Sequence, residues 1–175
     1  MDKYIYFAAE MPMLKWDDEG PVISIGHFLE EAEKWMTPSD YSVLARSVIH
    51  NYALEDIRGI FREYRDFEYG LRRELAEYRK AAKEGYEYKF TGIPSRLVKE
   101  GDPLEVEIAL IRYRWQWLED HEFGHYSDLD FFVLYYLKLQ LLKRLSRFEK
   151  EAGEEAFRQV IENIIENNKK PEASP

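Results

Sequence analysis

The chain has 175 residues, a formal net charge of −9 and no cysteine. Its length fits one domain, or two small lobes that share a core. The lack of cysteine excludes disulfides and thiolate metal sites. The negative charge argues against nucleic acid as a partner, because phosphate backbones are bound mainly through Lys and Arg. The sequence shows neither a signal-peptide pattern nor an apolar run of roughly 20 residues, so we expect a cytoplasmic chain without membrane insertion.

The first 50 residues predict a short extended segment followed by two helices. Residues 3–9 are rich in aromatic and β-branched side chains, which is typical of a short strand. Ser24 is a candidate N-cap for a helix over 24–36. Thr37, which is followed by proline, is a candidate N-cap for a helix over 38–50.

A long amphipathic helix is predicted over residues 53–83. Its apolar positions alternate at spacings of three and four residues, and Glu68 is the one polar residue in that seam. A seam of this length predicts packing against another long helix. Gly59 and Gly70 lie within the predicted helix, and each weakens it by about 1 kcal/mol relative to alanine. Residues 85–101 are expected to form a loop or a loose hairpin.

Two strongly apolar helices are predicted over 103–120 and 128–150. Asp102 is a candidate N-cap for the first of them. Two apolar stripes run along that helix on nearly opposite faces, one formed by Val106, Leu110, Tyr113 and Trp117 and the other by Leu104, Ile108, Ile111, Trp115 and Leu118. A helix with two apolar faces must be covered on both, by its own chain or by a partner.

These elements predict an all-α fold, a bundle of about six helices that includes one long helix, with at most a short N-terminal strand. A last amphipathic helix is expected over 154–166, and residues 167–175 are expected to form a disordered tail. We expect residues 1–166 to form a single helical domain, or two lobes over 1–84 and 102–166.

The turn between the two apolar helices reads His-Glu-Phe-Gly-His from His121 to His125, which matches a zinc-protease motif. In that motif two histidines one helical turn apart bind zinc, and the glutamate, here Glu122, activates a water molecule. This chemistry needs a continuous helix, but Gly124 lies inside the motif and Ser127 is a candidate N-cap for a new helix. The two remaining histidines are isolated and are interpreted as structural. We therefore expect no metal, no cofactor and no catalytic site, with a zinc-dependent hydrolase as the alternative.

Six apolar residues on the same two helices are predicted to face a partner, namely Ile108, Trp115, Leu118, Leu129, Val133 and Tyr136. The basic side chains in the second of these helices are assigned to a solvated face beside this surface, namely Lys138, Lys143, Arg144, Arg147 and Lys150. Trp115 is preferred over Trp117 as the partner-facing tryptophan, because Arg112 and Arg114 beside it are able to form a charged rim.

Two stretches of the chain resemble known families. Residues 4–14, with Ile23-Ser24 and Phe28-Leu29, resemble the start of an uncharacterised bacterial family encoded within V-type ATP synthase operons. The second half of the chain resembles the second half of that family at residues 102–107, Arg114-Trp115, 124–126, 128–130 and 135–140. The same half also looks like part of the C subunit of V/A-type ATPases. The C subunit is an all-helical, non-catalytic protein that joins the membrane rotor ring to the central shaft.

The resemblance implies a divergent or reduced form of the C subunit, and therefore a non-catalytic subunit or an accessory or assembly factor of a bacterial V-type ATPase. The implied partners are the central shaft and the rotor ring, which would hold the chain at the cytoplasmic side of the membrane. The C subunit is markedly longer and has three related lobes, so a complete socket around the shaft is not implied. A helical adaptor unrelated to rotary ATPases is a further alternative.

Overall fold

A computed structural model describes residues 4–17, 21–50 and 58–148, and every regular element in these ranges is helical. The α-helices in chain order are α1 (Ile5–Glu10), α2 (Ile25–Trp35), α3 (Pro38–Arg46), α4 (Ile60–Glu84), α5 (Arg96–Lys99), α6 (Pro103–Asp120) and α7 (Leu129–Leu145), and a 3-10 turn follows at Ser146–Phe148. The predicted all-α class is confirmed. The predicted helix over 154–166 and the tail over 167–175 lie outside the described residues. No helix in the described ranges has the length and apolar character needed to cross a bilayer.

The N-terminal segment is helical, so the predicted short strand over residues 3–9 is wrong. The turn spacing of α1 brings Tyr4 and Phe7 to the same side, where both are buried, while the two residues between them stay exposed. Phe7 stacks on Phe132 of α7 with 4.4 Å between the ring centroids. Burial of one helical face against α7 therefore overrides the β-propensity of these side chains.

Helix α3 ends at Arg46, earlier than predicted, because α7 binds the backbone that follows it. Gln140 of α7 accepts a hydrogen bond from the Ile49 N–H group at 3.0 Å. The same side chain donates to the Ser47 carbonyl at 3.0 Å. These two bonds satisfy backbone groups that a further helical turn would otherwise pair. Helix α2 begins and ends within one residue of its prediction.

The long helix α4 begins at Ile60, and residues 51–57 of its predicted start lie outside the described residues. Gly59 precedes it with a φ of +65°, a conformation that favours glycine. Asp130 of α7 accepts a hydrogen bond from the Ile60 N–H group at 3.2 Å. A Cβ atom on Gly59 would lie 2.5 Å from the same carboxylate oxygen. Gly59 therefore forms the helix start, whereas Gly70 lies in an uninterrupted helix.

Helix α6 has the predicted bounds and begins with a capping box. The Asp102 side chain accepts hydrogen bonds from two backbone N–H groups of the first turn, and the Glu105 carboxylate accepts one from the Asp102 N–H group. The predicted loop over 85–101 contains the short helix α5. Asp128, and not the predicted Ser127, caps α7, because its side chain accepts a hydrogen bond from the Phe131 N–H group. Helix α7 ends at Leu145, earlier than predicted, where it tightens into the 3-10 turn.

Both apolar faces of α6 are covered by the chain itself. On one face Ile111 and Trp115 belong to the large core cluster that contains α7 and the N-terminal helices. On the other face Leu110 and Tyr113 pack in a second cluster against α4. Phe67 of α4 packs against both clusters. The two-stripe pattern therefore needs no partner to explain it.

Candidate partner-binding site

The His-Glu-Phe-Gly-His segment forms the turn between α6 and α7. Helix α6 ends at Asp120, and Gly124 has a φ of +93°. The His125 N–H group donates to the Glu122 carbonyl at 3.0 Å, which closes a tight turn. The two histidines therefore do not lie one helical turn apart on a continuous helix, the spacing that the zinc-protease motif needs.

The two histidines of this turn contact groups of their own chain. The Nδ1 atom of His121 lies 2.7 Å from the Trp117 carbonyl oxygen, and its ring stacks on the Trp117 ring at 3.7 Å. The Nδ1 atom of His125 lies 2.7 Å from the Asp128 carboxylate, whose other oxygen caps α7. Among the described residues, no group of three His, Cys, Asp or Glu side chains is arranged to hold a metal ion.

The glutamate of the turn forms an ion pair with a buried lysine. Lys138 of α7 is 5% exposed, and its Nζ atom lies 2.5 Å from a Glu122 carboxylate oxygen. The same ammonium lies 4.9 Å from the centroid of the Trp115 ring. The assignment of Lys138 to a solvated face is therefore wrong, because a carboxylate and an aromatic face compensate its burial.

An apolar cavity of about 350 Å³ lies beside this ion pair, between the turn, α7 and the extended segment that follows α1. Its lining includes residues 11–14, Phe131 and Tyr135. The Tyr135 hydroxyl donates to the Pro12 carbonyl at 2.9 Å, which fixes the extended segment on α7. Burial raises the pKa of Tyr135, so the hydroxyl keeps the proton that it donates.

Three large hydrophobic side chains of the turn and of the extended segment are exposed, and we call them the turn patch: Met13 is 78% exposed, Phe123 90% and Tyr126 63%. Met13 and Tyr126 line the cavity, and Phe123 lies in the turn between two other lining residues, Glu122 and His125. An exposed cluster of this kind at the mouth of an apolar cavity is typical of a protein-binding surface.

The structure places most of the sequence-predicted interface in the core. Trp115, Leu118, Val133 and Tyr136 are buried, and Ile108 and Leu129 are partly buried. The Trp115 ring is covered by Trp16 in an edge contact at 5.8 Å, and Arg112 stacks over the Trp16 ring at 4.7 Å. This burial corrects the preference for Trp115 as a partner-facing residue, because the N-terminal segment of the same chain covers its stripe.

The spacing of helical stripes did not identify the turn patch. Phe123 and Tyr126 lie in a short turn between two capped helices, so no helical face is available to bury them. Large hydrophobic residues in such a short turn are expected to be exposed, but an analysis of helical periodicity does not detect them. Met13 lies in the extended segment before α2, which also has no helical periodicity.

Residues 95–168 match a family described as "Protein of unknown function (DUF2764)". The match covers less than half of the chain and includes α6, the turn and α7. Phe123 and Tyr126 lie inside the matched segment, and Met13 lies outside it. No curated protein matched the chain, and neither did any solved structure.

Proposed function

We propose that this chain is a non-catalytic subunit or accessory factor of a bacterial V-type ATPase that binds its partner through the turn patch. The observation that supports docking is the exposure of Met13 and Tyr126 at one apolar cavity, together with that of Phe123 in the adjoining turn. Aromatic side chains of this kind supply much of the binding energy of protein interfaces. The identity of the partner rests on the resemblance to the family encoded with V-type ATP synthases and to the C subunit of V/A-type ATPases.

The charges beside the turn patch indicate what kind of surface it would bind. Glu119 and Asp120 are exposed in the last turn of α6, where the helix end adds a partial negative charge. The nearby cation Lys138 is buried and paired with Glu122. A complementary partner would therefore have an apolar centre with Lys or Arg at its rim. In a role like that of the C subunit, that partner is the central shaft or the rotor ring, and the chain is peripheral to the membrane.

The role is proposed to be structural, with no catalytic step. Glu122 is paired with Lys138, and His125 contacts Asp128 at the start of α7. These contacts stabilise the turn that presents Phe123 to solvent. The side chains of the motif are therefore proposed to position the turn patch rather than to activate water.

A pull-down from detergent-solubilised membranes of the source organism tests this proposal. We expect the tagged wild-type chain to co-purify subunits of the V-type ATPase, identified by mass spectrometry. The double variant Phe123→Ser/Tyr126→Ser should recover at least about tenfold less, because two interface anchors are removed. Tyr69→Ser is the matched control, since Tyr69 is 66% exposed on α4, away from the turn. Circular dichroism checks that both variants are folded.

Two results would contradict the proposal. Recovery of other proteins without any ATPase subunit would favour a helical adaptor unrelated to rotary ATPases. Equal recovery of ATPase subunits by the wild-type chain and the Phe123→Ser/Tyr126→Ser variant would show that docking uses a different surface.

A further inference from the structure

Lys138 is a buried cation whose hydrogen-bonding capacity is only partly used. An ammonium group has three N–H donors. Among the described residues, Glu122 is the one hydrogen-bond acceptor of this ammonium, which also contacts the Trp115 ring. Lys138 is 5% exposed, so bulk water has little access to the remaining donors. Since a buried donor without an acceptor is unfavourable, this ammonium is a candidate anchor for a bound group.

The apolar cavity beside the turn is bordered by this ammonium-bearing side chain. Lys138 and Glu122 both line the cavity. Met11, Leu14 and Phe131 supply apolar lining. The volume of about 350 Å³ is at the lower end of the range for ligand sites, roughly 300–1,000 Å³. The cavity therefore combines a small apolar space with a hydrogen-bond donor, and it suits one apolar side chain with an adjoining polar group.

The charges at the cavity favour a neutral acceptor over a carboxylate. Glu122 already neutralises Lys138, since its carboxylate lies 2.5 Å from the ammonium. A second carboxylate on the same ammonium would lie beside that of Glu122 and would be repelled by it. A peptide carbonyl oxygen accepts a hydrogen bond without adding net charge. A backbone carbonyl group therefore matches the remaining donors better than an acidic group does.

We propose that the cavity receives one leucine-like side chain of the docking partner, and that a backbone carbonyl beside this side chain accepts a hydrogen bond from Lys138. The inserted side chain would contact Leu14 and Phe131. Met13 and Tyr126 are exposed and line the same cavity, so they would contact the residues that flank it. This inference rests on the proposed docking role and specifies what the partner inserts.

The wall of the cavity that belongs to the extended segment is attached to the rest of the fold at two points. The Tyr135 hydroxyl donates to the Pro12 carbonyl at 2.9 Å. Further along the segment, the Trp16 ring packs edge-on against Trp115, with 5.8 Å between the ring centroids. Residues 13–14, which line the cavity, lie between these two attachments. A wall that is ordered in advance lowers the conformational entropy cost of binding.

An NMR titration of the isolated full chain with N-acetyl-leucine methylamide tests the proposal. This probe has one leucine side chain between two peptide groups. We expect saturable shifts of the Met11 and Met13 methyl signals, and nuclear Overhauser effects between the probe methyl groups and the Phe131 ring. N-acetyl-glycine methylamide has the same peptide groups without the side chain. It should bind at least about tenfold more weakly, because no apolar surface is buried.

The variant Lys138→Met tests the hydrogen bond to the carbonyl group. We expect the dissociation constant of the leucine probe to rise about tenfold, because a charged donor is lost. Lys80→Met is the matched control, since Lys80 is exposed on α4 and does not line the cavity, and it should bind as the wild type does. Circular dichroism checks that both variants are folded. If Lys138→Met does not fold, the comparison of the two probes on the wild-type chain decides.

Three results would overturn the proposal. The first is the absence of saturable binding of the leucine probe, and the second is equal binding of the leucine and glycine probes. The third is equal binding of the leucine probe by the wild type and by a folded Lys138→Met variant. The titration uses no ATPase subunit, so its failure is distinguishable from a pull-down that recovers none.

Discussion

The carboxylate of Glu68 and the guanidinium of Arg114 form a two-point ion pair inside the protein. Oε2 lies 2.7 Å from Nε, and Oε1 lies 3.0 Å from Nη2. The Glu68 side chain is 0% exposed and that of Arg114 is 11% exposed. Arg114 also donates to the Leu110 carbonyl at 3.0 Å, and Arg72 donates to Glu68 at 2.6 Å. This network joins α4 to α6 at a fixed register.

Removing one member of this pair should be much more damaging than replacing both. Glu68→Leu is expected to lower the free energy of unfolding by about 3–5 kcal/mol, because it leaves the Arg114 charge buried without its partner. The double variant Glu68→Leu/Arg114→Met should recover most of that loss, since an apolar pair needs no desolvation of charge. Urea unfolding of the single and double variants measures both effects. The coupling would be contradicted if the double variant lost as much free energy of unfolding as Glu68→Leu and Arg114→Met do when their separate losses are added.

The Glu74 carboxylate holds the loop before α5 against α4. Its Oε1 atom accepts hydrogen bonds from the N–H groups of Thr91 at 2.8 Å and Gly92 at 2.9 Å, and also from the Thr91 hydroxyl. Its Oε2 atom accepts one from the Ile93 N–H group at 3.0 Å. Burial by itself raises the pKa of Glu74, but the hydrogen bonds outweigh it and the pKa lies below its ordinary value.

A lowered pKa of Glu74 predicts a defined pH dependence of stability. The charged carboxylate stabilises the fold above the unfolded-state pKa of about 4.3, and this contribution is lost as the pH falls through the lower folded-state pKa. Glu74→Gln should cost about 1–3 kcal/mol at pH 7, because one oxygen acceptor becomes a donor facing a backbone N–H group. Urea melts from pH 7 to pH 3 should show a shallower loss on acidification in Glu74→Gln. An unchanged pH dependence would contradict this role.

The two tryptophans of α6 should differ in their effect on stability. Trp115 is fully buried, so Trp115→Ala is expected to cost about 3–5 kcal/mol. Trp117 is partly buried and stacks on Phe67 at 5.2 Å, so Trp117→Ala should cost less, roughly 2 kcal/mol. Denaturant melts check both values, with Trp35→Ala as a control at a 43% exposed site. A negligible loss in Trp115→Ala would contradict its place in the core.

The sequence predicted the start of a helix correctly where the capping residue lies directly before that helix in the chain. Ser24, Thr37 and Asp102 each accept backbone hydrogen bonds within the first turn of the following helix. Two other boundaries depend on contacts from α7 and could not be read locally. Asp130 binds the first N–H group of α4, and Gln140 binds the backbone after α3. Contacts between residues this far apart in sequence leave no periodic pattern in either segment.

The sequence indicated that Glu68 and the turn were unusual, but it did not indicate which residues surround them. Glu68 stood out as a polar residue in an apolar seam, yet nothing in the spacing identified Arg114 as its partner. The turn from His121 to His125 was predicted correctly, whereas the exposure of Phe123 was missed because helical periodicity carries no information about a turn. Arginines of three helices, together with His50, line one cavity, and only the folded arrangement brings them together.

The geometry of the turn predicts that the chain binds no stoichiometric zinc. His121 and His125 lie on a turn with different contacts, to the Trp117 carbonyl and to Asp128 respectively. Elemental analysis of protein purified without chelators or metal-affinity resin measures this directly. One zinc per chain, lost in a His121→Ala/His125→Ala variant, would favour the zinc-dependent hydrolase instead.

Site-specific photo-crosslinking at Phe123 tests most directly whether the turn patch docks on a V-type ATPase. A photoreactive phenylalanine analogue replaces Phe123, or Tyr69 as the control, and intact membranes are irradiated before the adducts are identified by mass spectrometry. We predict an adduct with an ATPase subunit from position 123 and none from position 69. The absence of an ATPase adduct at position 123, or equal adducts at both positions, would contradict the account.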